Sequence, residues 1–461
     1  MRVISALYLI IFLEGYVVLS TELLAIRQLT PFVGNGTETV AIVIGAVLLP
    51  LALGYYHGGM FRGTCVRRSI RTQLLSNVFW AGAFITLGLS YVLMEGYFQL
   101  MEHYGITHRV IQTALYTMVF LLYPIYLLGQ TVPLISHYFR GNHLSQITGR
   151  ILTCSTMGSF LGSILATLLV MPFLGVNFVL VINMGLLVFI TLILGRSKHK
   201  KWILGTLVLW VMSYMMNEWW LKDQLGIVKN NAYHMIQIVE QDDARYMLVN
   251  RSNSAVMTDH PDQQFEYIKH VEKKYLQPLL LSSPPKSILV IGAGGFTFGR
   301  NDTNNVYTYI DVDESIKEVA ERHFLKRPLR PNHHFISLPA RSFLRQIKDQ
   351  YDLVFLDAYT HGHSMPMQLL TREFFVDVKS HMKPNGTLIC NVIASGGFKD
   401  QFSKKIDNTL RSVFQHMGRH VVNSTANTTD SDVGNIIYSY VKQSADFGVY
   451  TDQKMSYMYD H

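Results

Sequence analysis

Long apolar blocks recur from Ile4 to Trp220, and they restrict the possible folds more than any other feature of the chain. A helix of about 20 apolar residues is long enough to cross the hydrocarbon of a bilayer. Seven such runs can be drawn, at 4–26, 38–58, 74–98, 112–136, 149–172, 176–195 and 202–220. From Leu221 onward charged residues, Asn and Gln return at the density of a soluble protein. The pattern predicts an α-helical membrane bundle over 1–220, followed by a soluble α/β domain over 221–461, and a chain of 461 residues accommodates both. The first run is not read as a cleaved signal, because Glu14 and Glu22 interrupt it and no small-residue cleavage site follows.

A net charge of +8 suggests a polyanionic partner until its placement is considered. Much of the excess lies in short loops between apolar runs: Arg62, Arg67, Arg68 and Arg71, then Arg140 and Arg150, then Arg196, Lys198, Lys200 and Lys201. Such clusters set membrane orientation. The expected partner is therefore the lipid bilayer and not nucleic acid, and the bundle leaves room for a homo-oligomer. The loops on the other side carry little beyond Arg27 and Arg109. The rule that basic loops stay inside puts the N-terminus in the cytoplasm. With seven spans the soluble domain becomes exoplasmic, or periplasmic if the bilayer is a bacterial inner membrane.

Three cysteines, Cys65, Cys154 and Cys390, leave the second half with one. No disulfide forms within it, and no ligand spacing points to a metal. In the first run Glu14 and Glu22 are eight residues apart, on neighbouring faces of a helix, and Arg27 follows. Carboxylates at bilayer depth face a bundle interior or a wet cavity, which suggests a cation path or an amine site. The plain alternative is an internal ion pair, Glu22 with Arg27. Gly158, Gly162 and Ala166 have the small-xxx-small spacing of closely packed helices.

In the second half, strand-like runs at 234–240 and 246–250 precede a helical stretch near 265–280. An apolar strand, Ser287–Ile291, then runs into Gly292-Ala293-Gly294-Gly295. Strands at 306–311, 353–357 and 386–392 alternate with helices at 314–324 and 371–382. Alternation of this kind implies a mostly parallel sheet with ligands at the carboxyl ends of its strands. Glycines after the first strand let the backbone approach a nucleoside, and an acid ending the next strand can accept from ribose hydroxyls. Asp311 stands 19 residues after Gly292, and Asp357 ends the following strand. A structural turn is the ordinary alternative for the glycines, and a strand-end cap for Asp357.

These residues carry a resemblance. The stretch from about 232 to 395 resembles the spermidine synthases, aminopropyltransferases on the class I methyltransferase (Rossmann-like) fold. The matching landmarks are Ser287–Gly295, Tyr309–Asp313, Ala340–Leu344, Tyr351–Tyr359, Pro366 and Leu369–Phe375. The apolar half is similar to the multi-span membrane-bound branch of that family. The resemblance implies a donor substrate, decarboxylated S-adenosylmethionine or S-adenosylmethionine itself. It puts the ribose on Asp311, the donor's tail on Gly292, Gly294 and Gly295, and the rest of the donor beside Val312, Asp313 and Ala340. It makes Asp357 the base that deprotonates the attacking amine, because an ammonium cannot displace a thioether. It sets Tyr267, Tyr359, Thr360 and His361 around the acceptor.

Three positions depart from the family pattern. Gly295 stands where the family has the acid of Gly-Gly-Gly-Asp-Gly. Pro339 replaces the acid of its Asp-Ala adenine contact. Thr360 replaces the second acid of Asp-x-x-Asp-Pro, with His361 next and His363 two residues on. Those histidines are candidates for an anion, a metal or the acceptor, against the plain alternative of solvated loop residues. The resemblance implies a membrane-bound transferase acting on a polyamine or a membrane-associated amine. Methyl transfer is the first rival, and a polyamine or nucleoside transporter the second.

Overall fold

The computed structural model describes residues 2–34, 36–61, 69–139, 144–196, 199–219, 225–258, 264–359, 365–422 and 433–442. They form two compact units: Met1–Val239 with Leu248–Ser252, and Glu240–Met247 with Asn253–His461.

The first unit is helical. Its elements are α1 (Arg2–Val33), α2 (Thr37–Gly59), α3 (Ile70–Gly88), α4 (Tyr91–His103), α5 (Arg109–Phe120), α6 (Leu122–Gly129), α7 (Thr131–Ser136), α8 (Leu144–Leu165), α9 (Val176–Leu194) and α10 (Lys200–Tyr214). A wider π turn, Ala166–Leu174, prolongs α8 through Pro172, which has no N–H to give the helix ladder. α1 packs along α8 and α9. A Cβ at Gly158 or Gly162 would overlap the carbonyl oxygens of Phe12 and Tyr16, so these glycines serve close helix packing, as their spacing suggests. Asn183 ties α9 to α1, accepting from Ser20 Oγ at 2.7 Å and donating to Thr21 Oγ1 at 3.1 Å. Glu14 and Glu22 are both buried. Arg27 donates from Nε to the Asn231 carbonyl at 2.8 Å.

Among the described residues, four helices are long and apolar enough to cross a membrane: Ile4–Val33, Thr37–Gly59, Ser145–Leu174 and Val176–Leu194. Two bent pairs, Ile70–Gly88 with Tyr91–His103 at 62° and Arg109–Phe120 with Leu122–Ser136 at 43°, raise the number to six if each pair is one span. These criteria are length and composition alone. The seventh expected span is helical, as α10 and its extension Met215–Trp219, but it is not among the qualifying helices. Lys200 and Lys201 open it, and Asn217 and Glu218 fall near its end.

From 227 to 257 the chain forms a four-stranded sheet in chain order: β1 (Ile227–Asn230), β2 (Met235–Gln241), β3 (Ala244–Val249) and β4 (Ser252–Met257). Asp242 and Asp243, with φ of 50° and 60°, make the two-residue turn between β2 and β3.

The second unit is built on seven strands: β5 (Ser287–Ile291), β6 (Val306–Asp311), β7 (His333–Ser337), β8 (Tyr351–Leu356), β9 (Met382–Ser395), β10 (Gly418–Val422) and β11 (Val433–Val441). Their order is β10-β11-β9-β8-β5-β6-β7. β5 pairs parallel with β6 and β8, β6 with β7, and β8 with β9, while β11 runs antiparallel to β9 and β10. This parallel-rich sheet fits the methyltransferase-like fold expected of the second half. β5 and β8 are buried along nearly all their length, with Ile288, Leu289, Val290, Leu353, Val354, Phe355 and Leu356 in the core. That explains their unbroken apolar reading, since strands covered on both faces do not alternate. The chain winds outward from β5 through β6 to β7, then returns to β8 on β5's other side. The strand order therefore reverses between β5 and β8, and the crevice beyond their carboxyl ends is where such sheets bind ligands.

Candidate active site

Backbone pairing continues past the strand ends at that crevice. Gly292 N–H donates to the Ile310 carbonyl and Asp357 N–H to the Ile291 carbonyl, each at 2.9 Å. Gly292 has φ +97°, and a Cβ there would overlap the Asp357 carbonyl oxygen and lie 2.9 Å from Ala358 Cα. The glycine loop after β5 and the acid after β8 are thus in direct backbone contact, which requires a glycine.

Asp357 is held on both oxygens. Oδ2 accepts from Tyr267 Oη and Oδ1 from Asn391 Nδ2, each at 2.9 Å. Tyr267 lies on α11 (Glu266–Val271), and Asn391 on β9. The surrounding protein desolvates the carboxyl and pushes it above the usual aspartate range, against the lowering effect of its two donors. Burial and the nearby Asp357 push the Tyr267 phenol far up, so it remains a neutral donor at physiological pH. Tyr359 Oη donates to the Asn391 carbonyl at 3.0 Å and accepts from Ile393 N–H at 2.8 Å, which fixes the first residues after β8. Thr360 and His361, like His363, lie outside the described residues.

Asn391 was not among the residues expected from sequence. Leu356 pairs with Cys390 in the β8–β9 register, so Asp357 falls beside Asn391. An Asn inside the buried run Leu388–Val392 is the signal that could have found it. Asn391 Oδ1 is buried with no hydrogen-bond partner among the described residues, leaving an acceptor next to the carboxyl.

The residues expected to hold the donor gather on the other flank of β5. Asp311 Oδ2 accepts from Ala293 N–H and Oδ1 from Asp313 N–H, each at 3.1 Å, so one carboxylate ties the glycine loop to the end of β6. Asp313 is buried and turns its Oδ1 to Ser315, at 3.0 Å from the N–H and 2.7 Å from the hydroxyl. It thus ties the end of β6 to Ser315, the first residue of the next helix. Val312 is half-buried, as is Ala340, which opens the helix Ala340–Gln346 behind Pro339. Gly294 has φ +50° and sits near Ser254. At Gly295 a Cβ would overlap the Phe324 ring and come within 2.6 Å of Ala255 Cβ. The family's acid at this place has no room here. Among the described residues no group of three or more His, Cys, Asp or Glu could hold a metal.

No family model matches the chain. Sequence comparison finds the polyamine aminopropyltransferase of Vibrio vulnificus, 27% identical over 197 residues, covering 40% of this chain and 64% of the relative. That of Saccharolobus solfataricus is 26% identical over 179 residues, covering 36% and 58%. The chain therefore spans less than two-thirds of the length of these curated relatives. Similar solved structures include a probable spermidine synthase from Corynebacterium glutamicum (17% identity, TM-score 0.39, 48% of this chain and 81% of that one). Another is the spermidine synthase of Thermotoga maritima (19%, TM-score 0.36, 46% and 70%). Through a stretch of about two-fifths of its length the chain is thus similar to polyamine aminopropyltransferases, the spermidine synthase family.

Proposed function

We propose that the second half of the chain moves a carbon group from an S-adenosyl sulfonium donor to an amine, with the aminopropyl group of decarboxylated S-adenosylmethionine as the leading candidate. The acceptor is a polyamine or an amine met at the membrane. The observation that carries this reading is Asp357 at the strand-order reversal, with its carboxyl raised toward proton capture. The name shared by the relatives supports it. In the transfer, Asp357 takes a proton from the acceptor ammonium and frees the nitrogen lone pair. The N–C bond forms as the C–S bond breaks, and its electron pair stays on sulfur, which leaves as a neutral thioether. Asn391 Oδ1 supplies a second acceptor for the amine's remaining protons, and Tyr267 fixes the carboxylate. Asp311, which joins the glycine loop to the end of β6, is the candidate for the ribose hydroxyls.

Methyl transfer from intact S-adenosylmethionine is a second reading, favoured by one observation: the packing at Gly295 excludes a carboxylate that would repel the donor's own. Mass spectrometry of the product separates the two, since aminopropylation adds C3H7N and methylation adds CH2. Absence of either product with polyamine and lipid amines would reject both.

Asp311→Ala should weaken adenosyl-ligand binding by about 1.5–3 kcal/mol, the worth of hydrogen bonds to a charged acceptor. Calorimetry on the folded variant checks this, and an unchanged affinity would remove Asp311 from the donor site.

The bundle is proposed as a membrane anchor of seven passes, counting α10. With its extension α10 has 20 residues, which at 1.5 Å per residue is about 30 Å, one hydrocarbon thickness. The basic loops then put the N-terminus inside and the second unit outside. A phosphatase fused after Gly226 should be active outside the cell membrane. A fluorescent cytoplasmic reporter that lights up at that point would instead require an even number of passes.

A further inference from the structure

Where α8 hands over to α9, the first unit encloses a cavity of about 190 Å³. Its polar wall is made by Tyr91, Asn177, Asn217, Lys229 and Asn230, and its rim by Phe173 and Leu174. We propose that this cavity binds the phosphate of an anionic headgroup, supplied either by a membrane phospholipid or by free phosphate.

Charge argues for an anion. Lys229 is the one charged residue among the cavity's described lining. Behind the wall, buried Arg27 adds a second cation, with Nη2 on Asn230 Oδ1 at 3.3 Å and Nε on the Asn231 carbonyl. Glu95, on the helix that Tyr91 opens, is paired with Arg251. An amine ligand would meet two cations here, whereas a phosphate would meet complementary charge.

The neutral groups point the same way. Asn230 Nδ2 reaches Tyr91 Oη and Asn177 Oδ1, both at 3.4 Å, beyond the usual hydrogen-bond range. A phosphate oxygen would give that amide a shorter, charge-assisted partner. The first turn of α9, at Gly175–Asn177, also borders the cavity and adds the positive end of its dipole.

Size and rim select the kind of ligand. Nucleoside-sized ligands take pockets of about 300–1,000 Å³, so this cavity suits a headgroup. Phe173 is 79% and Leu174 56% exposed. They stand at the end of a qualifying membrane-crossing helix, where a lipid's acyl chains would run.

Native mass spectrometry of the full chain in detergent tests the site, with phosphatidylglycerol, diacylglycerol and inorganic phosphate as probes. Lys229→Gln should lower phosphatidylglycerol occupancy about fivefold, the effect of removing one cation near an anionic headgroup. Lys201→Gln, an equal charge change at the other end of the bundle, should leave it unchanged. Diacylglycerol, which lacks the phosphate, should not be retained. If inorganic phosphate is retained in a Lys229-dependent way and displaces the lipid, the site holds and its source is the free ion. Equal retention of phosphatidylglycerol and diacylglycerol, or equal occupancy in wild type and Lys229→Gln at matched thermal stability, overturns the proposal.

Discussion

Asp357→Asn is expected to lower the rate of group transfer by about 10²–10⁴-fold, the usual worth of a general base, while donor binding is kept. The substitution preserves shape, and the local hydrogen bonds tolerate it. Asn391 Nδ2 donates to Oδ1, which remains an oxygen in the amide. Tyr267 Oη, which donates to Oδ2 in the native chain, can turn its proton elsewhere and accept from the new amide. What is lost is basicity. Because the folded carboxyl lies above the usual aspartate range, the active, ionised form disappears at a higher pH than for an ordinary aspartate. The wild-type kcat/KM should therefore show an acid limb displaced upward, and Asp357→Asn should lack it. The sign of the stability term is opposite to that of most carboxylates. A raised pKa means that Asp357 favours the fold below its unfolded pKa and loses that contribution as pH rises through the folded value. The Asn variant should accordingly be no less stable than wild type at neutral pH. Its rate defect should shrink at alkaline pH, where the acceptor amine sheds its proton unaided. Wild-type turnover by Asp357→Asn at neutral pH would eliminate Asp357 as the base.

The central strands were legible because burial on both faces writes a plain signal. Ser287–Ile291 and Val306–Asp311 have the same ends in the sequence reading and in the structure, since each apolar run stops at a glycine or an acid. The candidate residues at those ends, Gly292, Asp311 and Asp357, stand out in the sequence for the same reason. Elements at the periphery do not. β10 is a five-residue strand of half-buried and exposed residues, with neither a continuous apolar run nor clean alternation. β7 opens with His333-His334, and nothing in those residues announces a strand. In the helical half the bends were the part not legible. Composition marks an apolar block, as at 74–98 and 112–136, but not a bend within it. In the structure Ser90 and Leu121 interrupt them, with turns of 62° and 43°. Asn391 escaped because its role comes from strand register, a long-range property that β8 and β9 acquire only on pairing.

Gly292→Ala should be the most damaging small substitution in the second unit, costing on the order of 3 kcal/mol or more. Two separate terms add. At φ +97° an L side chain is strained wherever it points. The new methyl would also overlap the Asp357 carbonyl oxygen, with the Asp357 carbonyl carbon at 2.8 Å and Ala358 Cα at 2.9 Å. All three obstacles are backbone, so no side chain can swing aside. Relief must come from separating the glycine loop from the end of β8, which moves Asp357 away from the donor loop and breaks the Asp357 N–H to Ile291 carbonyl bond of 2.9 Å. Gly294→Ala is the matched control. Its φ of +50° lies in the left-handed region, and its Cβ would meet Ser254 Oγ at an ordinary 3.4 Å, so strain alone remains, about 1–2 kcal/mol. Thermal unfolding of the full chain in detergent should rank wild type above Gly294→Ala and Gly294→Ala above Gly292→Ala. Amide exchange should quicken in Gly292→Ala first at Asp357 and Ala358. Equal stability of the two variants, with no local change in exchange at 357–358, would mean that the two loops are not in backbone contact and that the carboxylate is not delivered to the donor by that contact.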